Sequence, residues 1–138
     1  MKKIIALAAL LLLLPCAVSA QLTQTEDPVA VLGNVGRVYV DGKKAYPTLT
    51  IPEILENPPT IKNVEGFTIT HFCLSLENRE RMEVYGPLCN KRGEYTAEMK
   101  EMLSRNAFGL GTVYVEEIRV KGPDGRTRGV NSITVNYR

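Results

Sequence analysis

The chain has 138 residues, of which 44% are hydrophobic, with 17 basic side chains, 15 acidic side chains and one histidine. Lys2 and Lys3 account for the whole excess of positive charge, so the rest of the chain is neutral. Proteins that bind nucleic acid cluster Lys and Arg on one face, and this composition predicts no such partner.

The N-terminal segment, residues 1–20, has the pattern of a secretory signal peptide. Lys2 and Lys3 precede an apolar run from Ile4 to Leu14, and Val18-Ser19-Ala20 forms a small-residue cleavage site. This apolar run is shorter than the roughly 20 residues that a membrane-spanning helix needs. We therefore expect an exported protein, periplasmic or associated with the cell envelope.

Cleavage at this site would leave residues 21–138 as a single domain without an integral membrane segment. Two alternatives stay open. The apolar run could be retained as a membrane anchor, or the cysteine at position 16 could be lipidated after cleavage, although Pro15 before Cys16 fits a lipoprotein signal poorly.

The sequence before residue 66 predicts mainly loops with short strands and one helical turn, preceding the main sheet. Arg37 to Val40 is a short strand candidate, and Asp41-Gly42 is a strong hairpin signal. Pro47 restricts the returning strand to an edge or to irregular structure. Pro52 to Leu55 predicts one helical turn that has proline at its first position.

A long strand is predicted from Phe67 to Glu77 by the alternation of its side chains. One side of this strand carries Phe72, Leu74 and Leu76, which marks that side as the core side. The residues on that side are Thr68, Thr70, Phe72, Leu74 and Leu76.

A second strand is expected to return antiparallel after a charged turn. Asn78 to Glu80 forms the turn, and the strand runs from Arg81 to Tyr85 with Met82 and Val84 in phase. Gly86-Pro87 is expected to end it.

One short helix is predicted at residues 96–106, where Thr96 can cap the first turn with its side-chain oxygen. Met99, Met102 and Leu103 have the helical spacing that places them against the sheet. Glu101 and Arg105 are spaced to form an ion pair. This helix is expected to connect two strands.

The last third of the chain predicts a hairpin around the turn Gly122-Pro123-Asp124-Gly125. The apolar alternation changes phase at Glu116-Glu117, between Val113 to Val115 and Ile118 to Val120, and a bulge there would restore one apolar side. Taken together, the elements predict an antiparallel β-sandwich of about seven short strands.

Two cysteines, Cys73 and Cys89, remain after cleavage of the signal peptide. In an oxidising compartment such a pair is typical of a disulfide, which would contribute roughly 3 kcal/mol. Two buried free thiols fit the sequence equally well, because the sequence does not show how closely the two Cα atoms approach.

The search for catalytic, metal-binding and cofactor-binding residues predicts none. His71 is the only histidine, and no CxxC or clustered acidic motif accompanies it. His71 and Cys73 share a strand face, but we interpret His71 as a satisfied sheet residue. We interpret Glu116 and Glu117 as bulge or solvent residues. The sequence therefore carries no enzyme signature.

The order of the segments resembles the C-terminal periplasmic domain of GldM, the gliding-motility and type IX secretion protein also called PorM. The resemblance covers nearly the whole of residues 21–138. It is carried by Glu26 to Gly33, Gly66 to Phe72, the helix segment TAEMKEML, the strand end Ile118 to Lys121, the GPDG turn, and Arg128 to Val135.

This resemblance implies an immunoglobulin-like β-sandwich that binds other periplasmic or envelope proteins, or itself, with no catalytic residue. In the family the domain tops a dimeric stalk that rises from an inner-membrane motor. We expect no motor role here, because a cleavable signal replaces the spanning helix and the stalk domains are missing. An accessory role in gliding motility, type IX secretion or other envelope assembly is the leading hypothesis.

A small secreted β-domain that binds a glycan or acts as an inhibitor is the alternative function. The chain has no tryptophan, which makes a stacking platform for sugars poor. The remaining aromatic contacts would come from Tyr39, Tyr46, Tyr85 and Tyr114.

Overall fold

The computed structural model describes residues 26–33, 38–40 and 43–138, which form a mostly β structure. The predicted signal peptide with Cys16 lies outside the described residues, and so do Asp41 and Gly42. The elements in chain order are β1 (Ala30–Leu32), β2 (Val38–Val40), β3 (Lys43–Ala45), β4 (Thr48–Leu49), α1 (Ile51–Glu56), β5 (Pro59–Ile61), β6 (Thr68–Asn78), β7 (Glu83–Asn90), α2 (Ala97–Asn106), β8 (Gly111–Lys121), β9 (Thr127–Gly129) and β10 (Ile133–Tyr137).

The main sheet has the strand order β4-β10-β8-β6-β7, and β9 pairs with β8 beyond the end of β10. Its long strands are antiparallel, as the alternating pattern predicts, whereas the edge strand β4 runs parallel to β10. Two small antiparallel pairs, β1 with β5 and β2 with β3, complete the described sheets. The β2–β3 pair confirms the strand pairing expected around Asp41-Gly42.

The hydrophobic core lies between one face of the main sheet and a layer made of α1, α2 and the β1–β5 pair. Thr96 caps α2 and accepts a hydrogen bond from the amide of Met99, as predicted. The buried residues of α2 are the three that the helical spacing selects, Met99, Met102 and Leu103. The mostly β class and the connecting helix are thereby confirmed.

The bulge predicted at Glu116-Glu117 is present in β8. His71 pairs with Arg119 and Cys73 pairs with Glu116, so Phe72 alone lies opposite two residues of β8. Glu117 takes a left-handed φ of 52° at this point. The bulge restores one apolar side, since the residues on both sides of it are buried: Val113, Val115, Ile118 and Val120.

The start of β6 departs from the predicted alternation. Ile69 is buried and Thr68 is exposed, although the alternation placed Thr68 on the core side. Thr70 has no opposite residue in β8, because Ile69 pairs with Val120 and His71 with the next residue, Arg119. Because Thr70 is an extra residue, the side chains before it lie on the faces opposite to those predicted. Phe72, Leu74 and Leu76, which follow it, are buried as predicted.

The prediction that Gly86-Pro87 ends the returning strand is wrong, since β7 continues to Asn90. Leu74 pairs with Leu88 and Leu76 with Tyr85, so Ser75 alone faces Gly86 and Pro87 in a second bulge. A proline is tolerated there because β7 is an edge strand and proline lacks only an amide donor.

Asn131 joins β1 to the main sheet through its side chain. Its Oδ1 accepts a hydrogen bond from the Ala30 amide, and its Nδ2 donates one to the Ala30 carbonyl, both at 2.9 Å. Within the described part of the chain, no helix has the length and apolar composition needed to cross a membrane.

Candidate functional site

Large apolar side chains are exposed at one end of the main sheet, with exposed fractions from 41% to 91%. They come from the start of β7 and from the link between α2 and β8. Both segments lie at the same end because Asn78, the last residue of β6, pairs with Glu83 and with Gly111. We call this set the apolar end; it consists of Met82, Val84, Phe108 and Leu110.

The buried amide of Asn78 holds the two segments of the apolar end together. Its Nδ2 donates hydrogen bonds to the carbonyl oxygens of Asn106 at 2.8 Å and Phe108 at 3.3 Å. Its Oδ1 accepts hydrogen bonds from the amides of Glu80 and Arg81, each at 3.1 Å. One side chain therefore determines the geometry of both segments, and the surface is formed before any partner binds.

Charged side chains border the apolar end. The Arg81 guanidinium lies 4.4 Å from the centre of the Phe108 ring, a cation–π distance. Arg79 donates its backbone amide to the Leu110 carbonyl and its guanidinium to Thr112 and Asn136. An apolar centre with a charged border is the usual composition of a protein–protein interface. This surface is not predictable from the alternation of the sequence, which places Met82 and Val84 in phase within a regular strand.

Met82 lies outside β7, in the turn before it, with a left-handed φ of 55°. Val84 pairs with Glu77, and opposite residues in an antiparallel pair project from the same face. Glu77 accepts a hydrogen bond from Tyr114, so Val84 is on the polar face of the sheet, away from the core.

A second group of side chains lies together on the same polar face, where Cys73 and Cys89 form a disulfide. The two cysteines are directly opposite in the β6–β7 pair. His71 Nε2 lies 3.6 Å from Cys73 Sγ and 3.7 Å from Glu117 Oε2. Cys73 Sγ is 3.4 Å from the same Glu117 oxygen. We call these four residues the Cys-His-Glu cluster.

Two bulges bring the cluster together. The bulge at Gly86-Pro87 sets the register that places Cys89 opposite Cys73, and the bulge in β8 places Glu117 beside His71. The alternation of the sequence predicts the bulge in β8 but gives no contact between Glu117 and His71. Predicting that contact requires knowing that β6 pairs with β8, because His71 and Glu117 are 46 positions apart in the chain.

Two of the tyrosines proposed for ligand stacking, Tyr85 and Tyr114, lie on opposite faces of the sheet. Tyr85 pairs with Leu76 on the core side, whereas Tyr114 pairs with Ser75 on the polar face. Tyr114 donates a hydrogen bond to the Glu77 carboxylate at 2.7 Å, which raises the pKa of the phenol above its ordinary value. Tyr46 is exposed, and the side chain of Tyr39 is not among those described.

The chain is thus a mostly β domain with exposed apolar side chains at one end of its main sheet and a disulfide-centred polar cluster. Comparison with models of known protein families gives no match for this chain. A search of curated proteins also finds no significant relative.

Proposed function

We propose that this chain is a non-enzymatic, exported protein-binding module of the cell envelope, and that it contacts its partner through the apolar end. The observation that carries this proposal is the exposure of Met82, Val84, Phe108 and Leu110 at one end of the sheet. Isolated exposed apolar residues are ordinary, whereas a group of them bordered by charges is typical of an interaction site.

The rigidity of the apolar end supports a binding role. Asn78 is fully buried and joins the turn before β7 to the link before β8 through four hydrogen bonds. A surface that is already ordered loses less conformational entropy when it binds. The partner that fits is a folded protein presenting an apolar patch of its own.

Two features support export. The Cys73–Cys89 disulfide is of a kind that persists in oxidising compartments such as the periplasm and is rare in the cytosol. The signal-peptide pattern of residues 1–20 points to the same route. Periplasmic or envelope location is therefore part of the proposal.

The resemblance to the C-terminal domain of GldM gives the proposal its biological setting. It rests on the order of sequence segments, from Glu26 to Gly33 through to Arg128 to Val135. On this basis the module is an accessory of gliding motility, type IX secretion or another envelope assembly.

Site-specific crosslinking tests the proposal. A photoreactive residue at position 110 is expected to capture one envelope protein in intact cells, and Met82→Glu is expected to reduce the yield at least about tenfold, since a charge in an apolar interface is costly. Val29→Glu is the matched control, because Val29 is also an exposed apolar residue but lies outside the apolar end.

Equal capture by Met82→Glu and Val29→Glu would contradict the proposal, as would the absence of any captured protein. Thermal unfolding of both variants checks that they fold equally well. Sedimentation of the purified protein provides the remaining outcome: a dimer that Met82→Glu dissociates would show that the apolar end binds a second copy of the chain instead of another protein.

A further inference from the structure

The Cys-His-Glu cluster combines four side chains of the types that bind zinc in proteins. His71 and Cys73 come from β6, Cys89 from β7 and Glu117 from β8. Their ligand atoms all lie within 4.8 Å of one another. Nothing in the proposed contact surface uses these groups, because the apolar end lies at the far end of β6.

We propose that reduction of the Cys73–Cys89 disulfide converts this cluster into a tetrahedral zinc site, so that the same two sulfurs alternate between a disulfide and a metal-bound thiolate pair. The conversion needs an external reductant, either a dithiol or a phosphine. Two electrons and two protons convert the disulfide into two thiols, while the dithiol becomes a disulfide or the phosphine takes an oxygen from water. Zn²⁺ then displaces the two thiol protons to solvent.

Three distances within the cluster already match a zinc site. Zinc bond lengths of about 2.3 Å to sulfur and about 2.0–2.2 Å to nitrogen and oxygen put the ligand atoms of a tetrahedron roughly 3.4–3.8 Å apart. The contacts among His71 Nε2, Cys73 Sγ and Glu117 Oε2 are 3.4, 3.6 and 3.7 Å. The two sulfurs, which the disulfide now joins, have to separate, and Cys89 Sγ must come to the same ion.

The backbone can keep the ligands in place after reduction. Cys73 and Cys89 are opposite residues in the β6–β7 pair, and Glu117 is held by its bulge next to the β6–β8 pair. Side chains of opposite residues are close enough for the two thiolates to reach one ion through rotation about χ1. The sheet therefore supplies a preorganised set of ligands without a change of fold.

Solvent can reach the cluster, as both a reductant and an ion require. Cys89 and Glu117 are exposed, and His71 is half-buried. In the oxidised protein the sulfurs carry no charge, so only His71 and Glu117 remain as ligands, and two ligands bind zinc weakly. The oxidation state of the cysteines thus decides whether the site binds metal.

The test uses the purified protein, reduced with a phosphine and titrated with Zn²⁺ against a coloured chelator. We expect one Zn²⁺ per chain, bound at least about 100-fold more tightly than by the oxidised protein. Co²⁺ in place of Zn²⁺ should give the visible absorption of a tetrahedral ion and the near-ultraviolet band of thiolate ligation.

Two variants test the ligand set, and both keep the disulfide, so they fold in the oxidised state before reduction. His71→Ala and Glu117→Gln should each weaken Zn²⁺ binding about tenfold or more. Glu116→Gln is the matched control, because this neighbouring carboxylate lies outside the cluster, and it should bind as the unaltered protein does.

Equal affinity in the reduced and oxidised proteins would overturn the inference, and so would binding that neither His71→Ala nor Glu117→Gln weakens. One Zn²⁺ shared by two chains would overturn it as well. Circular dichroism of the reduced, metal-free protein shows whether the sheet persists, and a higher Tm on adding Zn²⁺ to the reduced protein alone gives a second readout.

Discussion

Asn131 acts as a substitute for a neighbouring strand. Its amide group exchanges two hydrogen bonds with the backbone of Ala30, as an opposite residue in a sheet would do. Asn63 forms the corresponding contacts one step earlier, accepting from the Val29 amide and donating to the Asp27 carbonyl. Two asparagine side chains thus supply hydrogen bonds to β1 and the residues before it, because a strand of three residues forms few backbone hydrogen bonds with its neighbour.

These two residues allow a matched test. Asn131→Ala is expected to lower the free energy of unfolding by about 1–3 kcal/mol, because it leaves the polar groups of Ala30 unpaired in a partly buried place. Asn63→Ala should cost less, because its partners are exposed and water can replace the side chain. Denaturant unfolding measures both, and equal losses would contradict the interpretation.

Asn78 shows why single residues can organise a surface. It is one of the two buried polar residues in the described part of the chain, and both ends of its amide are hydrogen-bonded. A buried amide is costly unless all its groups are paired, so the turn and the link must both keep their conformations. The sequence pattern assigns Asn78 to a charged turn and does not reveal this role.

At the scale of elements, bulges decide which side chains meet. The one in β8 keeps Val113 and Ile118 on the same face although their spacing has the wrong parity for a regular strand. A slip of one residue moves every later side chain to the opposite face, so a single extra residue is enough to build one continuous core. The same extra residue brings Glu117 to His71.

The left-handed backbone at Glu117 predicts opposite effects for two adjacent substitutions. Glu117→Gly should leave stability unchanged or raise it by up to about 1 kcal/mol, since glycine adopts a φ of 52° without a steric cost. Glu116→Gly should lower stability by about 0.5–1 kcal/mol, because glycine in an extended strand only adds backbone entropy to the unfolded chain.

Thermal unfolding of the oxidised proteins compares the two variants under one set of conditions. If Glu117→Gly destabilised the protein as much as Glu116→Gly, the bulge would lie elsewhere in β8.

At the scale of the whole molecule, the disulfide and the core are separate sources of stability. Cys73 and Cys89 join β6 to the edge strand β7 on the polar face, whereas the core residues lie on the other face. The remaining contacts of β6 with β8 do not depend on the disulfide. The fold should therefore survive reduction with a lower stability.

Replacing both cysteines by alanine is expected to lower the free energy of unfolding by about 3 kcal/mol, the value for a closed loop of this length. Denaturant unfolding and circular dichroism measure stability and β content. If the variant had no β structure at 25 °C, the core would not be stable without the disulfide, which would contradict the interpretation. An unchanged free energy of unfolding would show that the disulfide contributes nothing.

The features that depend on near neighbours can be predicted from the sequence. These are the helix after Thr96 with its buried Met99 and Leu103, the bulge at Glu117 and the antiparallel pairing of the long strands. Helical spacing, capping and alternation act over a few residues, so they can be read along the chain.

The contacts between residues distant in the chain depend on the tertiary structure. In the tertiary structure β7 continues past Gly86-Pro87, so Cys89 lies opposite Cys73, and Glu117 lies beside His71. Met82 is exposed at the same end of the sheet as the link that contains Phe108 and Leu110. Strand order and register bring together residues far apart in the chain, and the local pattern of a strand is compatible with many partners.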